Sequence, residues 1–314
     1  MTATLGGEGR GGLMKPDSGT GGAAGPAARA VGGAAVDEVE RAHLVDPADR
    51  SFRIGRWAPE PDLADLVRRY WVPTWHVPGG GSAVQQVLQY PVCLIVVADE
   101  YARFYGVAPG LSTTTLTGSG WAVGVLLQPS AGALLTGGTV AAWRGRHGDL
   151  GPALAATAAP VDTDALVAAV RAEMVPDPTD ESRQRAATDR VGDFLRRWLP
   201  VDEEGREVNA IVDAVEHDPE LLRVAQLCDR FGRTERSLQR LTRRRLGLSP
   251  KWLVQRRRLH EAAGLLRAGG TTVADVSARL GYADEPHLSR DFRRVTGMTP
   301  GAFASRYAAE SAGA

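Results

Sequence analysis

With 314 residues, the chain is long enough for about two domains. Its two separate cysteines argue against a disulfide scaffold and a structural zinc site. The sequence has no run of about 18 apolar residues that could span a membrane. We therefore expect a cytoplasmic protein without metal or cofactor. The 37 basic and 37 acidic residues cancel, but residues 219–314 carry 18 Lys and Arg against 9 Asp and Glu, which favours a polyanionic partner for that third of the chain.

The first predicted segment, residues 1–50, is rich in Gly and Ala and has few large apolar side chains. Such a segment cannot bury enough surface to offset the entropy lost on ordering, so it is predicted to be a disordered tail. A short helix around 37–44 is the one regular element that its sequence suggests.

Residues 51–160 differ because aromatic and β-branched residues gather there. Apolar runs at 84–97 and 120–129 are bounded by Gly, Pro or Asp and predict strands, and the threonine-rich segment at 113–117 is also typical of a strand. Residues 64–71 are predicted to be a helix. The region is therefore expected to be a small, strand-rich sandwich or partial barrel.

Residues 161–204 are predicted to be a helical linker, with helices at 164–175 and 181–199 and a hinge at 200–205. The second helix carries an apolar stripe that fits either an intramolecular core or a dimer seam. The stripe consists of Val191, Phe194, Leu195, Trp198 and Leu199.

Residues 205–310 are predicted to form an all-α domain of seven helices, which makes the whole chain an α+β protein. The predicted helices cover 206–217, 221–231, 234–246, 249–268, 272–280, 284–296 and 299–309. The side-chain oxygens that can cap these helices belong to Thr234, Ser249, Thr272, Asp284 and Thr299.

Two copies of one unit occupy most of this domain. In residues 224–250, the first module, and 273–300, the second module, a short amphipathic helix is followed by a Gly turn and an Arg-rich helix. Val224, Leu227 and Gly232 recur 49 positions later, as Val273, Val276 and Gly281. This is the plan of a helix-turn-helix, whose second helix enters the DNA major groove.

The exposed stripe of each second helix carries the candidate DNA contacts. Arg pairs with guanine and Gln with adenine, Glu accepts from cytosine, and His donates to a base or a phosphate. The predicted base contacts are Arg236, Gln239, Arg240, Glu285, His287 and Arg290. The predicted phosphate contacts are Thr234, Arg243, Arg244, Ser289, Arg293 and Arg294. An equally good interpretation of Glu285 is that it only favours the N-terminus of its own helix.

A single helix, predicted at 249–268, connects the two modules. It would be roughly 30 Å long, close to the roughly 34 Å of one DNA turn. Both second helices could therefore enter successive major grooves on one face of DNA. Leu253, Leu259, Ala262, Ala263 and Leu266 are expected to pack this connecting helix against both modules.

The sequence R-S-L-Q-R-L-x-R-R-x-L-G-x-S-P at 236–250 and the longer G-Y-x-D-x-x-H-L-S-R-x-F-R-R-x-x-G-x-T-P at 281–300 resemble the DNA-binding domain of AraC/XylS-type transcriptional regulators. The resemblance covers about a third of the chain and implies that the six base-contact residues face bases. One departure is Thr242, where the family usually has an aromatic residue, as Phe292 is in the second module; looser packing of the first module is therefore expected.

Residues 51–160 more loosely resemble the N-terminal domains of such regulators, which usually sense small molecules or dimerise. The resemblance implies a transcriptional regulator, for which activation is the preferred interpretation. Its expected partners are double-stranded DNA, RNA polymerase, a small-molecule effector and a second copy of the chain. The resemblance leaves open the operator, the effector, activation against repression, and the oligomeric state.

Two enzymatic alternatives are less well supported. A DNA-repair methyltransferase needs a cluster of zinc-bound cysteines, but Cys93 and Cys228 are isolated, and each is interpreted as a packing residue. An enzyme in residues 51–160 fused to a DNA-binding domain would depend on His76, His147 and Asp149, which match no catalytic motif. We therefore expect no catalytic site.

Overall fold

The computed structural model describes residues 43–44, 51–138, 140–155 and 161–307. The predicted tail lies outside the described residues except for His43 and Leu44. These two residues pair with β-strand residues Val87 and Gln86, so this end of the helix suggested at 37–44 is a strand.

Nine strands of the described chain form two antiparallel sheets. They are β1 (His43–Leu44), β2 (Phe52–Trp57), β3 (Val67–Val77), β4 (Ala83–Leu88), β5 (Leu94–Ala98), β6 (Ala102–Tyr105), β7 (Leu111–Leu116), β8 (Gly118–Leu127) and β9 (His147–Asp149). The smaller sheet has the order β1-β4-β7, and the larger has the order β2-β3-β8-β5-β6-β9. The predicted strands at 84–97, 113–117 and 120–129 are confirmed, and the first of these runs is two strands.

Eleven α-helices are found in the same part of the chain. They are α1 (Ala131–Leu135), α2 (Leu150–Leu154), α3 (Thr163–Met174), α4 (Glu181–Leu195), α5 (Glu203–His217), α6 (Val224–Phe231), α7 (Glu235–Leu246), α8 (Pro250–Ala268), α9 (Val273–Arg279), α10 (Glu285–Thr296) and α11 (Pro300–Tyr307). The predicted architecture, a strand-rich part followed by a helical part with two helix-turn-helix units, is confirmed.

The helix predicted at 64–71 is wrong, because β3 begins at Val67 and pairs on both sides. The residue pairs Leu66–Val67 and Tyr70–Trp71 repeat at a spacing of three and four residues, which is typical of a helix. In the sheet, Tyr70 is instead in the main core and Trp71 packs on the opposite face. Because both faces of the sheet are covered by apolar side chains, successive residues of β3 point to opposite faces without alternating between polar and apolar types.

The larger sheet lies between two apolar layers. Ile95 and Val97 of β5 belong to the main core, whereas Leu94, Val96 and Ala98 of the same strand belong to a second cluster with Trp71 and Val87. The main core also contains apolar side chains of the segment predicted as a helical linker. They are Leu166, Val170 and Met174 of α3 and Val191, Phe194 and Leu195 of α4. The apolar stripe predicted on the second linker helix is therefore part of an intramolecular core.

The seven C-terminal helices, α5 to α11, begin and end within three residues of their predicted positions. The caps explain this agreement. The side chains of Thr234, Ser249, Thr272 and Asp284 each accept a hydrogen bond from a first-turn NH group of their helix, and Thr299 Oγ1 accepts one from the Ala302 NH group at 3.2 Å. Such a cap typically stabilises a helix by about 1 kcal/mol.

The helical part packs directly on the strand-rich part. The main core continues into the first module through Leu227, Leu238 and Leu241. A separate core joins Leu88 of the smaller sheet to Phe292 and other buried residues of the second module. The first module therefore packs on the main core, whereas the second module packs on the smaller sheet.

Candidate nucleic-acid interface

The first module is a helix-turn-helix formed by α6 and α7. The chain reverses at Gly232, whose φ of 60° is in the left-handed region that favours glycine. Leu227 of α6 packs with Leu238 and Leu241 of α7, and these three side chains are at most 2% exposed. The predicted inward face of α7 is confirmed, so its opposite face is available for contacts outside the protein.

The outward face of α7 carries most of the predicted first-module contacts. Arg236, Arg240 and Arg243 are exposed, and Gln239 is half-buried beside them. Thr234 is exposed, and its Oγ1 accepts a hydrogen bond from the Ser237 NH group at 3.2 Å. The arrangement presents planar guanidinium donors on one helix face, as contacts with base edges or phosphates require.

The C-terminal end of α7 is different, because its arginines bond within the protein. Arg244 pairs with Glu204, and Arg245 pairs with Asp202 and with Glu204, the latter at 3.1 Å. Although partial burial raises the pKa of Glu204, hydrogen bonds from Arg245 and Arg244 outweigh it and hold that pKa below its usual value. The acidic start of α5 thus neutralises part of the charge predicted to contact phosphates.

The second module presents a comparable face on α10. Glu285, Arg290 and Arg293 are exposed, and Ser289 is half-buried. His287 keeps 44% of its side chain exposed. Leu288 and Phe292 point inward as predicted, with both fully buried. All five predicted contacts therefore keep at least part of their side chains at the surface of α10.

Asp291 is a positioning residue that the sequence did not indicate. It is 6% exposed, its carboxylate accepts a hydrogen bond from Gln255 of α8, and it pairs with Arg294 at 2.9 Å. Arg294 nevertheless keeps 62% of its side chain exposed. The buried carboxylate therefore orients α10 on the connecting helix and holds Arg294 on the outer surface. Since the equivalent residue in the first module is the apolar Leu241, the repeat offered no signal for it.

The connecting helix, α8, has 19 residues and is roughly 28 Å long at about 1.5 Å per residue. Its five predicted packing residues are all buried. Arg256 and Arg257 are buried as well, which was not predicted. Arg257 pairs with Glu261 at 2.6 Å and donates to the carbonyl oxygens of Pro219 and Leu221, so this charged run is structural.

The packing difference expected between the modules is visible at one pair of positions. Thr242 is fully buried, and its Oγ1 makes only a long contact of 3.4 Å with the Gln239 carbonyl oxygen. Phe292 packs edge-to-face on Phe303 with ring centroids 5.1 Å apart. The second module therefore gains an aromatic contact that Thr242 cannot make.

The strand-rich part does not assemble the acid–base candidates. His76 is on β3, whereas His147 and Asp149 are on β9, four strand positions away in the larger sheet. At about 4.8 Å per strand this separates them by roughly 19 Å. Cys93 is 1% exposed, and burial raises the pKa of its thiol to about 12. Within the described ranges, no group of three or more His, Cys, Asp or Glu side chains is arranged to hold a metal ion.

Two helix-turn-helix units on one connecting helix, each with an arginine-bearing outer face, define a tandem DNA-binding domain. Comparison with known families supports this: a helix-turn-helix domain model matches residues 227–306, and a domain of unknown function (DUF6597) matches residues 55–149. The C-terminal part of the chain therefore matches a known helix-turn-helix domain as well as having its geometry.

The curated relatives match between a quarter and a third of the chain. It is 30% identical over 105 residues to the HTH-type transcriptional activator RhaR of Yersinia pseudotuberculosis serotype O:1b, covering 33% of this chain and 36% of RhaR. It is 35% identical over 74 residues to RhaS of Escherichia coli O1:K1, covering 24% of this chain and 27% of RhaS. The chain thus spans about a third of the length of these curated relatives.

Among solved structures, the chain is similar to ToxT from Vibrio cholerae, with 10% identity and a TM-score of 0.35. The aligned region covers 82% of this chain and 98% of the ToxT chain. Across the described ranges, none of the helices is both long and apolar enough to cross a bilayer.

Proposed function

We propose that the protein is a sequence-specific transcriptional regulator that binds double-stranded DNA and activates transcription in response to a small molecule. The observation that carries this proposal is the pair of outward faces on α7 and α10, each opposite a fully buried leucine. Two such faces on one connecting helix suit an asymmetric site with two half-sites. RNA polymerase is the proposed second partner, and the cytoplasm is the proposed location.

Base selection is assigned to the N-terminal half of each second helix. Arg236, Gln239 and Arg240 in the first module would contact guanine and adenine edges. In the second module, Arg290 would contact a guanine edge, Glu285 would accept from cytosine N4, and His287 would donate to a base. These side chains lie near the helix N-terminus, the end that contacts base edges when such a helix occupies the major groove.

Phosphate contacts are assigned to the ends and flanks of the same helices. The proposed groups are Thr234, Arg243 and Arg244 in the first module and Ser289, Arg293 and Arg294 in the second. Such contacts fix orientation without distinguishing sequences. Arg244 must exchange Glu204 for a phosphate, since the two side chains are paired in this structure.

The proposed domain boundaries give each part of the chain a separate role. Residues 51–160 are proposed to sense the effector or to dimerise, 161–204 to link, and 205–310 to bind DNA. Because α3 and α4 share the main core with the larger sheet, the linking segment would transmit changes in the sheet to α5 and the first module.

The test measures the affinity of the full chain for a fragment of its own promoter and for random duplexes. Arg240→Ala and Arg290→Ala should each lose about 1–3 kcal/mol of discrimination between bases. Arg244→Ala should weaken all sequences alike and reduce the slope of affinity against salt by about 1. Arg146→Ala, an exposed arginine outside the helical part, is the matched control. Equal behaviour of the three test variants, or no preference of the unaltered chain for its promoter, would refute the assignment.

A further inference from the structure

A short series of contacts joins the connecting helix to the outer face of α10. The guanidinium carbon of Arg258, on α8, lies 3.7 Å from the centre of the Tyr282 ring. Tyr282 is in the turn between α9 and α10 and is 6% exposed. Its ring meets the His287 ring edge-on, with the ring centroids 5.1 Å apart. A cation of the connecting helix and a proposed base contact of α10 therefore both touch Tyr282.

The contact between Arg258 and Tyr282 is made through the face of the ring. The Nε and Nη2 atoms of Arg258 and the hydroxyl oxygen of Tyr282 are buried, and none of them has a hydrogen-bond partner among the described residues. The negative face of an aromatic ring attracts a guanidinium, and more strongly where water is excluded. The ring and the cation above it therefore fix Tyr282, whereas its hydroxyl contributes little.

A second contact bounds the His287 ring. Its Nε2 lies 3.9 Å from the Asp291 carboxylate, and 44% of the His287 side chain stays exposed. That carboxylate accepts a hydrogen bond from the Gln255 amide of α8. The connecting helix therefore limits the position of the imidazole through Asp291 as well as through Tyr282.

The first module has no counterpart of this arrangement. His287 corresponds in the repeat to Ser237, whose hydroxyl donates to a backbone carbonyl oxygen of its own chain segment at 2.9 Å. Asp291 corresponds to the apolar Leu241, and the turn that supplies Tyr282 is one residue longer than its equivalent. Contact between the connecting helix and a base-reading side chain through these positions is therefore particular to the second module.

We propose that Arg258 and Gln255 are positioning residues, which fix the His287 imidazole toward DNA and so determine which base pair the second module selects. The proposal rests on the proposed function, because it concerns how the face of α10 reads its half-site. Since Nε2 faces the Asp291 carboxylate, Nδ1 is the ring nitrogen left to hydrogen-bond with a base edge in the major groove. An imidazole without these supports would adopt several orientations and distinguish base pairs less.

The test measures binding of the full chain to its promoter duplex and to duplexes in which each base pair of the site is replaced in turn. The readout is fluorescence anisotropy. His287→Ala is expected to lose about tenfold in discrimination at a single base pair. Arg258→Met removes the cation and should lose about threefold or more at that same base pair, with no further effect in a His287→Ala background.

Two further substitutions on α8 make the comparison specific. Arg258→Lys keeps a cation for the ring and should retain most of the discrimination. Lys251→Met removes a positive charge from an exposed position of the same helix, and as the matched control it should discriminate as the unaltered chain does. Gln255→Met removes the amide that holds Asp291 and should act at the same base pair as Arg258→Met.

Tyr282 provides a matched pair of variants that separates positioning from folding. Tyr282→Phe keeps the ring beneath Arg258 and should leave discrimination unchanged, because the hydroxyl has no hydrogen-bond partner among the described residues. Tyr282→Leu removes the aromatic face and should lose discrimination at the base pair that His287 reads. Urea unfolding of each variant shows whether it is folded under the binding conditions.

Three results would overturn the proposal. They are an equal loss of affinity for every duplex in Arg258→Met, an Arg258→Met effect that persists in the His287→Ala background, and equal discrimination by Tyr282→Phe and Tyr282→Leu. If the unaltered chain still prefers its promoter, these results refute only the positioning role. Lack of promoter preference in the unaltered chain would refute the proposed function and this inference together.

Discussion

Glu204 is the residue whose replacement should strengthen DNA binding. Its carboxylate pairs with Arg244 and Arg245 at the end of α7, and Arg244 is a proposed phosphate contact. In Glu204→Gln the amide cannot hold these cations as an ion pair, so Arg244 becomes available to DNA. Arg245 still has Asp202 as a partner, and the folded structure should persist.

The expected magnitude follows from the exposure of the pair. The side chains of Arg244 and Glu204 are 53% and 43% exposed, so solvent screens the pair and it is worth about 0.2–1 kcal/mol. Releasing it should raise affinity for every duplex by at most about fivefold. Because Arg244 contacts a phosphate in both proteins, the number of phosphate contacts should be equal, and the slope of log affinity against log salt concentration should stay nearly constant. The free energy of unfolding should fall by less than about 1 kcal/mol.

The measurement is fluorescence anisotropy of labelled promoter and random duplexes over a series of KCl concentrations. Glu203→Gln is the matched control, because it removes the same charge from the neighbouring exposed position. A gain in Glu204→Gln that Glu203→Gln does not share supports the exchange of partners. An equal gain in both variants would show that only net charge matters, and a loss of affinity in Glu204→Gln would contradict the reasoning outright.

Three further predictions concern side-chain packing and burial. In urea unfolding, Phe292→Ala should cost about 3–5 kcal/mol by leaving a cavity, whereas Thr242→Ala should cost about 1 kcal/mol; similar losses would disprove the packing difference between the modules. Gly264→Ala should raise the free energy of unfolding by about 0.5–1 kcal/mol, since an added Cβ meets nothing within 4 Å; a loss would reveal an unseen contact. In the folded protein iodoacetamide should modify the half-buried Cys228 well before Cys93, and the reverse order would contradict the burial of Cys93.

The helical part could be predicted from sequence because its signals are local. Caps such as Thr234 and Asp284 and the glycine turns mark helix ends within a few residues of chain. The repeat then doubled each signal, since a helix found in one module predicted its counterpart. The outward position of Arg240 and Arg290 followed from the inward leucine two residues before each of them.

Long-range contacts could not be predicted in this way. The run Q-R-R-R-L-H at 255–260 suggests a solvated face, yet Arg256 and Arg257 are buried. The partners of Arg256 are carbonyl oxygens far away in sequence, at Ala108 and Pro109. The pairing of Arg244 with Glu204 has the same origin, because helix periodicity places a side chain on a face without saying what that face meets.

Contacts between the two parts of the chain limit how an effector can act. Arg68 of β3 pairs with Glu216 of α5, with side chains 14% and 8% exposed. At Gly247, which ends α7, an added Cβ would lie 2.7 Å from the Cα of Ala141. Close packing of this kind does not yield gradually, because interdigitated surfaces shift between discrete arrangements. An effector bound by the strand-rich part would therefore favour one docked arrangement of α5 and the first module over another, and the free-energy difference between the two arrangements would set the effect on DNA binding.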